Sequence, residues 1–83
     1  HGQALHEIFL RQDGLCPYTG RKLILGIDAS LDHIVPKGRG GENELHNVQW
    51  VHMNVNFMKS DLMDDEFFLL VEEVYKHRLL RNS

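Results

Sequence analysis

Residues 30–59 read SLDHIVPKGRGGENELHNVQWVHMNVNFMK, and the fold turns on how this stretch divides. Residues 30–35 read as a strand, closed by Pro36, which cannot donate to a ladder. Residues 37–44 hold Gly38, Gly40 and Gly41 and form a loop that no regular element can claim. Residues 47–51 alternate polar and apolar through Trp50 before Val51 breaks the pattern, which suits a second strand antiparallel to the first. Residues 52–58 then read as a helix, with Met53 and Phe57 on one face and His52 and Asn56 on another. The central order is strand, long loop, strand, helix.

Outward from this unit, Ala4, Leu5, Ile8 and Phe9 make a helical stripe over residues 3–12, and Asp13-Gly14 ends it as a left-handed cap. Leu15-Cys16-Pro17-Tyr18-Thr19-Gly20 reads as a tight turn, and Leu23-Ile24-Leu25 as a short extended piece stopped at Gly26. Asp64 is placed to cap a last helix, with acids in its first turn and Lys76, His77, Arg78 and Arg81 near its end. Phe67, Leu70, Val71, Val74 and Leu79 are read as its core-facing stripe. The class is α+β: a two-stranded antiparallel hairpin and a helix, flanked by N- and C-terminal helices.

Eighty-three residues make one domain, 1–83, near the lower size at which a single apolar core holds alone. There is no repeat and no low-complexity tract. Nowhere do about 18 apolar residues run together and no signal-peptide pattern opens the chain, so no membrane partner is expected. The chain lacks an initiator Met, so the domain is expected to be excised from a longer protein, with His1-Gly2 a tag remnant. Cys16 is the only cysteine, which rules out a disulfide within the chain and a four-cysteine zinc site. That count fits an intracellular, cytoplasmic setting.

Nine Lys and Arg against twelve Asp and Glu give a net charge of −3, whereas a stand-alone nucleic-acid binder carries a basic excess. Half of the acids (Asp61, Asp64, Asp65, Glu66, Glu72, Glu73) fall in residues 61–73, while Lys37, Arg39 and Lys59 fall near the central unit. A nucleic-acid enzyme with this balance would draw affinity from other domains of its parent protein.

The chemistry-bearing residues are Asp32, His33, Asn47 and Asn56. A carboxylate beside an imidazole, followed by an amide on a helix, is the set that a one-metal phosphodiesterase needs. One tension follows from strand geometry: adjacent residues point to opposite faces, so the strand must twist or end where Asp32 and His33 serve one phosphate. Taken singly, none of these residues is specific. An Asp-His pair is an ordinary strand end, Gly40-Gly41 an ordinary loop, Asn47 a turn cap and Asn56 a surface residue.

Together they form an ordered set that resembles the HNH endonuclease family, whose core is a ββα-metal finger. The resemblance runs from Leu15 to the last helix: Leu15–Gly20 as the opening knuckle, Leu31-Asp32-His33-Ile34-Val35-Pro36 as the first motif, Gly40-Gly41 in the loop, Asn43–Gln49 before the second strand, and Asn56-Phe57-Met58-Lys59 on the helix. His33 to Asn47 is fourteen positions and Asn47 to Asn56 is nine, similar to the spacing in HNH domains of RNA-guided nucleases.

The resemblance implies a hydrolase that cuts DNA with one Mg²⁺ or Mn²⁺ ion. His33 would be the general base, since an imidazole takes and releases a proton at neutral pH. Asp32 and Asn56 would supply two hard oxygen ligands and leave positions for water and phosphate. The products would be a 5′-phosphate and a 3′-hydroxyl. Asn47 would brace the loop and orient His33, and Lys37, Arg39 and Lys59 would touch backbone phosphates. Many members hold a structural zinc on two Cys pairs; here those positions read Cys16, Thr19, His52 and Val55, too few ligands for a closed tetrahedral site, so none is expected. Cys16, Tyr18 and Val55 are expected to pack as apolar groups, and His52 to form a hydrogen bond. The alternative is a non-catalytic HNH-like module that places a larger protein on nucleic acid.

Overall fold

The computed structural model describes residues 2–82; His1, read above as part of a tag remnant, and Ser83 lie outside them. Three helices and a two-stranded antiparallel sheet give an α+β fold in the order α1 (Gly2–Arg11), β1 (Ala29–His33), β2 (Val48–His52), α2 (Met53–Lys59) and α3 (Asp64–Arg81). In the register, Leu31 faces Trp50, Asp32 faces Gln49 and His33 faces Val48. The strand, loop, strand, helix order read from residues 30–59 is present to within one or two residues.

α1 stops where Asp13 and Gly14 both take left-handed backbone, at φ 55° and 65°, and the Gly14 N–H closes on the Phe9 carbonyl at 3.0 Å. The helix then lies along β2. Trp50 Nε1 donates to the Leu5 carbonyl at 2.8 Å, and its ring meets Phe9 edge-on. Gln12 completes the contact: its side-chain oxygen accepts the Trp50 N–H and its amide nitrogen donates to the Trp50 carbonyl, both at 2.8 Å.

Of the extended piece expected at residues 23–25, Leu23 continues from the Leu15–Lys22 bridge with its N–H on the Gly14 carbonyl at 2.7 Å, but no strand forms and a turn begins at Leu25. The Asp28 carboxylate accepts the Ile24 N–H at 2.7 Å, and the Ile24 carbonyl takes the N–H groups of Ile27, Asp28 and Ala29. A short polar side chain offers this backbone a local partner that no neighbouring strand supplies. Among the described residues the one ladder contact before β1 is a single bridge between Leu15 and Lys22.

The core is small. Cys16, Leu23, Val51, Val55 and Phe67 are buried, ringed by Phe9, Tyr18, Ala29, Trp50 and Leu62. α3 departs from the sequence expectation both at its cap and along its apolar face. Asp64 does not cap it: Met63 precedes the first turn, and the Glu66 carboxylate reaches back to accept the Met63 N–H at 2.9 Å. Nor is the apolar stripe a core face, because only Phe67 is buried, while Leu70, Val71, Val74 and Leu79 are 41–64% exposed. The reason is length. Eighteen helical residues span about 27 Å, and the rest of the chain covers only the first turn. Among the described residues no helix is long and apolar enough to cross a membrane.

Candidate functional site

The site begins where β1 ends. Asp32 points inward, where it is 4% exposed and meets Lys59, the last residue of α2, which is wholly buried. The Lys59 ammonium donates to both oxygens of Asp32, at 3.1 and 2.9 Å, and to the carbonyls of His33 and Ile34, each at 3.2 Å. Gln49, opposite Asp32 in the ladder, adds its amide N–H to Asp32 Oδ2 at 3.0 Å. The same amide donates to the Tyr18 hydroxyl, which donates in turn to Asp64 at 2.6 Å. Burial first, then the hydrogen bond to Asp64 and the nearby Asp32 charge, push Tyr18 ionisation far up and hold its hydroxyl protonated.

His33 turns the other way, and its Nε2 lies 3.0 Å from Asn43 Oδ1. A carbonyl oxygen only accepts, so this contact puts the proton on Nε2 and leaves Nδ1 as the basic nitrogen. The strand stops at this residue. The next N–H groups, of Ile34 and Val35, are taken by the Asn47 backbone carbonyl and side-chain oxygen, each at 2.9 Å. Asp32 and His33 thus leave opposite faces yet both border one open cleft at the free side of β1, of about 260 Å³ and lined also by Lys37, Asn56 and Asp61.

Asn56 enters from the middle of α2. Its Nδ2 donates to Ser30 Oγ at 2.7 Å and to the Leu31 carbonyl at 3.1 Å, which leaves Oδ1 as its unengaged acceptor. Asn47 is buried and braces the loop: besides Val35 N–H it donates to the Val35 carbonyl at 3.0 Å and the Glu42 carbonyl at 2.8 Å. It does not hold the His33 ring; Asn43 does. The loop can close this tightly only because residue 41 is glycine, as a Cβ there would overlap the Val35 carbonyl oxygen.

The three basic residues expected at phosphate separate. Lys37 is exposed at the cleft rim. Arg39 reaches across to Glu66 at 2.8 Å; this hydrogen bond raises the guanidinium further and holds the Glu66 carboxyl below its ordinary value. Lys59 is interior, enclosed by Asp32 and the strand end, so its charge does not meet solvent. Among the positions compared with zinc ligands, Cys16 and Val55 lie in the core. Burial pushes the Cys16 thiol up, but hydrogen bonds from Thr19 and from the backbone of His52, Tyr18 and Thr19 outweigh it and leave the thiol below its usual range. His52 caps α2, its Nδ1 accepting the Asn54 N–H at 3.1 Å, and it faces Asp28 rather than the cleft.

Two oxygen atoms suit a hard cation, Asp32 Oδ1, which has only the Lys59 donor, and Asn56 Oδ1. Among the described residues no three His, Cys, Asp or Glu side chains converge to hold an ion, so most ligands would come from outside the chain. Gln49, Asn43 and Ser30 are the residues that sequence reasoning missed. Gln49 had a signal in the strand register, since it falls opposite Asp32 once the two runs are paired. Neither a protein-family model nor a curated protein matches this chain.

Proposed function

We propose that this domain is a metal-dependent endonuclease of the HNH type, hydrolysing DNA phosphodiester bonds. One observation carries the reading: Asp32, His33 and Asn56, from a strand, its end and a separate helix, border the same cleft. Each has a distinct task there. His33 Nδ1 takes the proton from a water as its oxygen bonds to phosphorus, and the ring is held for this by Asn43. Asp32 and Asn56 would hold one Mg²⁺ or Mn²⁺ ion through their Oδ1 atoms. When bound, that ion supplies positive charge to the 3′ oxygen as its bond to phosphorus breaks. The 3′ oxygen then takes a proton from solvent, leaving a 3′-hydroxyl and a 5′-phosphate. Lys37 at the rim contributes attraction to the backbone without reading sequence.

The test is nicking of supercoiled plasmid by the full-length protein with Mg²⁺ or Mn²⁺, beside His33→Ala. The expected result is ion-dependent nicking that falls by about 10²-fold or more in the variant. An intact plasmid with either ion overturns the reading. The second reading, a non-catalytic nucleic-acid module, has one observation in its favour: the Asp32 charge is already met by Lys59. Retarded migration of DNA without cleavage is the outcome that selects it.

A further inference from the structure

Lysine is the residue least suited to a fully buried position, because its ammonium must recover there the hydration it gives up. Lys59 does so with hydrogen bonds to four oxygen atoms, all of three consecutive residues, Asp32, His33 and Ile34, while the Asp64 carboxylate lies farther off at 3.6 Å. The ammonium is therefore a clamp on the end of β1, where the chain has to send one side chain inward and the next outward. It fixes the carboxylate, and it fixes the backbone that carries the imidazole.

The clamp has an electrostatic consequence. Lys59 pairs with Asp32 in the interior at 2.9 Å, and a second carboxylate, the half-exposed Asp64 outside the cleft lining, lies 3.6 Å from the same ammonium. Asn56 is uncharged, and the two charged residues at the rim, Lys37 and Asp61, cancel. A divalent ion approaching Asp32 Oδ1 and Asn56 Oδ1 thus meets no net negative charge from the cleft-lining residues taken with Lys59, and Asp64 stands behind the ammonium, outside that lining. Phosphate oxygens are what the site lacks.

Building on the endonuclease reading above, we infer that Lys59 is a positioning residue that makes cation binding conditional on substrate: it aligns Asp32 and cancels its charge, so the divalent ion is held firmly only with a DNA phosphate beside it. By linkage the dependence is mutual, and the ion strengthens DNA binding by the same factor. A site of this design does not gather metal while idle.

Mn²⁺ titration followed by the electron paramagnetic resonance of the free ion tests this on the full-length protein carrying His33→Ala, which keeps DNA uncut. Titrations are run with and without a mixed-sequence duplex, and binding by duplex alone is subtracted. The expected result is an apparent Mn²⁺ affinity at least about tenfold tighter with duplex present. Equal affinity in the two titrations overturns the inference while leaving the nuclease reading in place. Mn²⁺ bound in neither titration removes the metal site itself, and both readings fall together. Replacing the clamp gives an independent readout. In Lys59→Met, Mn²⁺ without DNA should take over the ammonium's role and raise Tm by about 3 °C or more, against no rise in the parent protein. A purely structural lysine predicts no Mn²⁺-dependent shift in either. Should Lys59→Met fail to fold, Lys59→Gln retains a donor for the two carbonyls and serves the same comparison.

Discussion

The hairpin with α2 and the long helix α3 distribute polarity in opposite ways. In the first, Asp32, Asn47, His52 and Lys59 are buried and each has its partner. In the second, a row of leucines and valines lies in solvent and only Phe67 is interior. The difference teaches where the shape of the cleft comes from. Five buried apolar residues cannot specify the position of a strand end to a fraction of an ångström, but directional bonds to named atoms can. Burial of apolar surface holds the domain together, and a polar network holds the site.

Breaking the buried pair should cost most. Asp32→Ala leaves the buried Lys59 ammonium with only the half-exposed Asp64 carboxylate, 3.6 Å away, and urea unfolding is expected to show a loss of about 3–5 kcal/mol. Pairing Asp32→Leu with Lys59→Met should recover most of that loss, because two apolar groups leave no charge unmet. A single-variant loss below about 1 kcal/mol would place the pair with ordinary surface ion pairs.

Tyr18 gives an intermediate effect with a defined pH sense. Its ionisation is raised on folding, so its contribution is whole below the ordinary phenol value of about 10 and is lost as pH rises beyond it. Ionising it would set a third negative charge beside Asp32 and Asp64. Tm measured toward alkaline pH should fall more steeply in the parent than in Tyr18→Phe, which at neutral pH gives up roughly 1–2 kcal/mol with the hydrogen bond to Asp64. Parallel curves would detach Tyr18 from the network.

The smallest effect belongs to α3. Leu70→Gln and Val74→Gln should each move stability by no more than about 0.5 kcal/mol, since both side chains are already wet. A larger loss on chemical unfolding would mean that this face is covered in solution.

The same contrast explains what could be read in advance. The order of strands and helices was legible because Pro36, the loop glycines and the alternation through Trp50 act locally. Convergence of Asp32, His33 and Asn56 followed from that order. The inward course of Lys59 was not legible. Its partners lie 25 to 27 positions earlier, and a lysine ending a short helix is usually a solvated one. Helical spacing in α3 announced an apolar face, but periodicity carries no information on whether anything packs against it. Asn43 and Asn47 show the finer limit: both lie in one loop, and only the folded path decides which of the two amides meets the imidazole.

The Leu31–Trp50 register pair aims its backbone groups away from the sheet, one residue toward each side. Gln12 takes both groups of Trp50, and Asn56 takes the carbonyl of Leu31. Each flank of a two-stranded sheet is therefore stoppered at the same level by a side-chain amide that imitates a neighbouring strand. A third strand, from this chain or another, would have to displace these amides at the middle of either edge, which obstructs the usual route by which exposed hairpins polymerise. One of the two stoppers is Asn56, so the bonds that block strand addition also aim its remaining oxygen into the cleft.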